Sequence, residues 1–228
     1  MTSNSVRKSL AMASVASLAM FTAACGSDSE TDTASGNETT TEAPSDSAND
    51  TESSEMEPAM ANLSGPGCAD YAEAVPSGDG SIDGMAQDPV ATAASNNPLL
   101  KTLTATVTGA YNPKVDLVDT LNGGEFTVFA PVDSAFEALD GKTLKALAKP
   151  ANADMLSSIL TYHVVPGQMT PDELSGSYKT AQGDKLSVSG SPDALKINGN
   201  EASVVCGGVQ TANSTVYLID SVLLPPSM

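Results

Sequence analysis

Thr127-Val128-Phe129-Ala130-Pro131-Val132-Asp133-Ser134-Ala135-Phe136 is the stretch on which the reading of this chain turns. Phe126–Ala130 has the β-branched and aromatic content of a strand, and Pro131 ends it by removing a ladder donor. Asp133 or Ser134 then caps a turn of helix through Leu139. Two later stretches continue the pattern: Ile159-Leu160-Thr161-Tyr162-His163-Val164-Val165-Pro166-Gly167 and Val216-Tyr217-Leu218-Ile219-Asp220-Ser221-Val222-Leu223-Leu224-Pro225. The first joins a helix to a short strand. Met155, Ile159 and Tyr162 mark the apolar face of that helix, and Leu156 and Leu160 widen it. The second is a long, nearly all-apolar run that belongs in the middle of a sheet.

Helical signals precede these stretches and strand signals follow them. Asp88-Pro89 reads as an N-cap followed by Pro at the first helical position, and Asn97-Pro98 repeats the device. Leu99, Leu103 and Val107 recur at i+4 and predict a helix to about Ala110. Val115, Val118 and Leu121 predict a shorter one, stopped by Gly123-Gly124, and Leu144 and Leu147 begin another that Pro150 breaks. After Pro166-Gly167 the period becomes two. Strands are predicted at Tyr178–Ala181, Leu186–Ser189, Leu195–Ile197 and Ala202–Cys206, with Gly207-Gly208 as a hairpin or bulge. Helices first and strands later, with the early strand at Phe126 pairing back, is an α+β plan.

The order and spacing of the three quoted stretches resemble the two end motifs and the central Tyr-His motif of a fasciclin (FAS1) domain. That resemblance runs from 87 to 224. It implies a single domain, a β-sheet wedge flanked by a layer of short helices, and a surface adhesion or interaction module instead of an enzyme. Pro66-Gly67-Cys68, Gln87-Asp88-Pro89-Val90, Ala94-Ser95-Asn96-Asn97-Pro98 and Val205-Cys206-Gly207-Gly208 are further similar to the secreted and lipid-anchored fasciclin antigens of mycobacteria and their actinobacterial relatives. In those relatives a disulfide joins the positions that match Cys68 and Cys206.

The front of the chain speaks to location. Arg7 and Lys8 precede an apolar run from Leu10 to Phe21, and Thr22, Ala23 and Ala24 lead to Cys25, the plan of a secretory signal over residues 1–24. The run is short of the roughly 20 residues that span a bilayer. Cys25 fits the acceptor of a bacterial lipobox, to be acylated and become the mature N-terminus, although Thr22 stands where such boxes carry Leu. The other reading is a simple cleavable signal with an incidental Cys. Two or three acyl chains, palmitate among them, anchor firmly where one binds only marginally. The exported protein would then sit on the outer face of the cell membrane.

Residues 25–61 read as a tether. Between Gly26 and Met60 there are ten acids, no Lys or Arg and no aromatic residue, a composition that cannot bury enough apolar surface to order itself. Its Thr residues, Thr31, Thr33, Thr39, Thr40 and Thr41 among them, suit the attachment of sugars. Residues 62–86 form a lead-in. Three cysteines in an exported chain leave one unpaired; with Cys25 lipidated, Cys68 and Cys206 are left as a disulfide pair or as two separate buried thiols.

The net charge is −18. Loss of residues 1–24 removes Arg7 and Lys8, leaving eight Lys, 28 acids and −20. With no Arg and no basic patch, nucleic acid is excluded as a partner. Candidate chemistry is sparse. His163 is the only His, no Gly-x-Ser-x-Gly elbow accompanies it, and no short-spaced Cys pair suggests zinc. The Gly78–Gly84 stretch lacks calcium-loop spacing and reads as a solvated turn. No cofactor or metal site is expected. Tyr162 and His163 either contribute to an interaction surface or hold the helix end against the sheet. The resemblance implies adhesion to an extracellular protein, glycan or matrix partner; the alternative is an envelope carrier for a small apolar or lipid ligand.

Overall fold

The computed structural model describes residues 62–227, and a seven-stranded sheet organises them. In chain order the strands are β1 Phe126–Pro131, β2 Val164–Pro166, β3 Gly176–Lys179, β4 Lys185–Ser189, β5 Lys196–Ile197, β6 Ala202–Gln210 and β7 Ser214–Ile219. Their spatial order is β2-β1-β7-β6-β5-β4-β3. β1 runs antiparallel to β2 and parallel to β7, and every other pairing is antiparallel.

All six residues of β7 are buried, which is why it reads as an unbroken apolar run: both of its faces are covered. Val216 and Leu218 enter a core shared with the helices, whereas Tyr217 and Ile219 enter a second core. β1 divides in the same way, with Val128 and Ala130 on the helical side and Phe129 on the other. Phe129 and Tyr217 meet there with ring centroids 5.8 Å apart. β4, at the thinner end, alternates between exposed and buried residues, and Leu186 and Val188 point inward. The Ala181 N–H donates to the Val164 carbonyl at 2.7 Å, which brings the β3–β4 turn back to β2. The sheet therefore curls around the second core.

Eight short helices cover the other face: α1 Cys68–Ala74, α2 Ile82–Met85, α3 Val90–Asn96, α4 Lys101–Val107, α5 Val118–Asn122, α6 Asp133–Glu137, α7 Gly141–Leu147 and α8 Ala153–Tyr162. Helices this short are not stable alone, and tertiary contacts fix their ends. Here the structure corrects several expectations. α3 starts at Val90 with Pro89 as N-cap and no local side-chain cap. Its first N–H groups are satisfied from afar, Val90 by Asn213 Oδ1 at 2.8 Å and Ala91 by Asn122 Oδ1 at 3.2 Å. α4 ends at Val107, short of Ala110, and Val115 lies before α5. Asp133 does not cap α6; its Oδ1 accepts from the Thr102 N–H at 2.8 Å and so serves the first turn of α4. Met155 stands 45% exposed, so the buried face of α8 consists of Leu156, Ile159, Leu160 and Tyr162.

Residues 62–86 are more than a lead-in. Tyr71, Ile82 and Met85 belong to the helical-side core. Ser64 bridges to Gly207, the Gly67 N–H donates to the Val205 carbonyl at 2.8 Å, and a disulfide joins Cys68 to Cys206. The Gly78–Gly84 turn is solvated at Gly78 and Asp79, as expected, but packed beyond them: Gly80, Ser81 and Ile82 are buried. The Tyr71 hydroxyl donates to the Gly80 carbonyl at 2.6 Å, and Ser81 Oγ accepts from the Gly84 N–H at 3.1 Å. Gly207 and Gly208 form the bulge that shifts the β6–β7 register. A Cβ on Gly207 would stand 2.3 Å from the Tyr217 ring; Gly208 has φ +76 and would meet the Asn62 carbonyl at 2.0 Å. No other residue fits either position.

Candidate functional site

Tyr162 and His163 are consecutive at the joint between α8 and β2, yet their side chains belong to different layers. Tyr162 is buried in the sheet-wrapped core. Its hydroxyl donates to the Lys185 carbonyl at 3.1 Å and accepts from Asn198 Nδ2 at 2.9 Å. It thereby ties the end of α8 to β4 and to the turn before β6. Asn198 adopts φ +48, a backbone region that Asn tolerates better than most residues, and its amide also reaches Glu201 at 2.9 Å.

His163 is 3% exposed. Its Nδ1 lies 2.8 Å from the Ile159 carbonyl and its Nε2 lies 2.9 Å from the Leu223 amide. A backbone N–H can only donate, so Nε2 accepts and the proton of the neutral ring resides on Nδ1, donated to Ile159. Burial pulls its pKa down to about 4 against the opposing influence of the Ile159 bond and Glu201. The imidazole is therefore neutral at ordinary pH, with both nitrogens spent on backbone. It clamps the Val222–Leu223 segment onto the end of α8. Such a ring is not poised to take a proton from a nucleophile.

Next to His163 the helices and the sheet do not fully close. A cavity of about 60 Å³ lies between α3, α4 and α5 on one side and β1, β2 and β7 on the other. Its walls are almost wholly apolar, with Leu103, Leu121, Val128, Leu160 and Val216 among them. Thr120 and Ala181, which also line it, are exposed and mark its mouth.

Several polar side chains that position these elements were not visible as sites in the sequence. Asn213, besides serving Val90, donates through Nδ2 to the Leu121 and Gly124 carbonyls at 2.8 and 2.6 Å. Asn112 is fully buried and donates to the Leu147 and Lys149 carbonyls. Asn97 donates to the Tyr71 hydroxyl at 2.8 Å, and burial pushes that phenol up to about 12 despite the bond. In sequence each Asn reads as a turn former, and nothing local distinguishes it. Cys25 and the tether lie outside the described residues. Among the described residues there is no group of three or more His, Cys, Asp or Glu side chains that could hold a metal ion. No helix among them is long and apolar enough to cross a membrane.

Comparison with known proteins places this architecture. The fasciclin domain model matches residues 100–225, and the chain belongs to the fasciclin family. It is 57% identical over 167 residues to the cell surface glycolipoprotein MPB83 of Mycobacterium bovis, covering 73% of this chain and 74% of that protein. It is 56% identical over 169 residues to the immunogenic protein MPB70 of the same species, covering 74% and 86%. The fold of the FAS1 domain pair from the insect cell adhesion molecule Fasciclin I matches with a TM-score of 0.53 at 20% identity, over 63% of this chain and 53% of that one. This chain thus covers about half of that domain pair.

Proposed function

We propose that this chain is a lipid-anchored surface protein whose single fasciclin domain engages an extracellular protein, glycan or matrix partner without catalysing a reaction. In this reading residues 1–24 are removed, Cys25 carries the lipid, 25–61 form an acidic tether, and 62–86 together with 87–224 form the displayed domain. The observation that carries it is the extended similarity to a cell surface glycolipoprotein, which spans nearly three quarters of both chains. The character of the domain agrees. Residues 62–227 hold eight Lys and 18 acids, and Met155 and Leu224 are its exposed large apolar side chains. Recognition by such a surface rests on polar and charged contacts, which favour a partner with a basic face.

The test is saturable binding of the folded chain to immobilised matrix proteins and envelope fractions, measured as ionic strength rises. Binding that weakens as the screening length shrinks from about 10 Å at 0.1 M salt to about 3 Å at 1 M supports the reading. A folded chain that binds none of these surfaces better than the heat-unfolded chain does would sink it.

A further inference from the structure

We infer that the cavity beside His163 receives the end of one alkyl chain, entered between α5 and the β3–β4 turn. This goes beyond the surface reading and does not depend on it, since the cavity is internal and the proposed adhesive contacts are external. Its room, about 60 Å³, exceeds the roughly 10–15 Å³ that one water requires, but a water also needs two to four polar partners. The side chains of the walls offer only the Thr120 hydroxyl, at the mouth. Both nitrogens of His163 are engaged with backbone, and the Thr161 hydroxyl donates to the Ser157 carbonyl at 2.7 Å. Neither a charged nor a strongly polar group would find compensation there. A void of this size in an otherwise close-packed core costs stability, so its retention calls for an occupant that recovers the lost contacts.

The mouth bears on the ligand's head. Thr120 and Ala181 are exposed, leaving the ligand's head in solvent, and Asp116 and Asp119 flank Leu117 and Thr120 on the same segment. Lys179 and Lys185 lie on either side of Ala181 in the segment that forms the other lip, so the rim carries both signs. The cavity therefore selects for the apolar tail, and the head is left to solvent and a rim of mixed charge.

The experiment follows thermal unfolding of the full chain carrying Cys25→Ser, free of detergent, with a series of 1-alkanols. We expect 1-octanol to raise the Tm saturably by about 5 °C, as a ligand specific to the native state does. Ala94→Leu fills the cavity from α3; it should abolish the rise while leaving the Tm of the free protein level or higher. Should that variant fold poorly, methyl NMR of the unsubstituted cavity decides: octanol must shift Leu103, Leu121, Val128 and Val216 and leave the second core undisturbed. No rise with any alkanol, an equal rise in Ala94→Leu, or shifts scattered over the whole domain would each overturn the proposal.

Discussion

His163 shows how one side chain can commit both of its ring nitrogens to backbone. Its ring accepts from Leu223 and donates to Ile159, so adding a proton to Nε2 would set two donors against each other inside the core. Burial lowers its pKa from 6.5 to about 4. Between those values the unfolded chain binds the proton and the native one does not. The proton uptake on unfolding makes stability fall as pH falls from about 6.5 to about 4, with no further change below. The full effect is on the order of 3 kcal/mol. Urea unfolding across this range should show it, once the carboxylates common to both proteins are removed by subtracting a His163→Gln variant. A wild-type-minus-variant difference that stays flat would show that the ring is not held neutral. The position of His163 at a helix-to-strand joint was legible, because Tyr-His between an amphipathic helix and Val164-Val165 leaves little else for it to do. That Tyr162 and His163 turn into opposite layers was not, since one residue of rotation at a helix end depends on where the sheet lies.

At the scale of elements, strands were more legible than helix ends. β1 and β7 announce themselves because burial on both faces removes any polar alternation. The helices are four to ten residues long, and side chains far away in sequence decide where they begin. Asn213 is the clearest case: from the β6–β7 hairpin it accepts from the first turn of α3 and donates to the end of α5. Asn213→Ala should leave a helix N-terminal donor and two carbonyls without partners and cost about 2 kcal/mol. Asn213→Asp should do no better, because it keeps the acceptor but sets a carboxylate against the Leu121 and Gly124 carbonyls. Denaturant midpoints with an unchanged m-value are the measure, and a loss below about 0.5 kcal/mol for both variants would refute the bridging role. The disulfide acts at the same scale. It joins α1 to β6 across a sequence separation of 138, and closing so long a loop is worth about 5 kcal/mol in the chain-entropy model. Reduction, or Cys68→Ala with Cys206→Ala, should therefore lower unfolding free energy by several kcal/mol and loosen the 62–75 segment first. Protease cleavage confined to that segment in the reduced protein is the expected signature. An unchanged midpoint after complete reduction, confirmed by intact mass, would contradict it.

For the whole molecule, the proposed reading raises the question of what would hold an acidic domain at a cell surface. The domain supplies no apolar span, and its abundance of acids opposes adsorption to anionic lipid. Under the reading proposed above, retention at the membrane would come from a covalent anchor; the competing source is a protein partner, and the two separate cleanly. Membrane association through lipid scales with buried methylenes, about 0.8 kcal/mol for each, so that two or three chains hold firmly where one does not. In the reading proposed above the sole attachment is the Cys25 sulfur. Cys25→Ser should move the exported protein from the membrane fraction to the medium while leaving the domain's Tm and its Cys68–Cys206 bond unchanged, because neither involves the anchor. The same substitution should abolish labelling by an alkyne-tagged palmitate. Wild-type fractionation with labelling lost would point to retention by a bound envelope partner instead. Retention with labelling kept would place the lipid on another residue and end the assignment of Cys25.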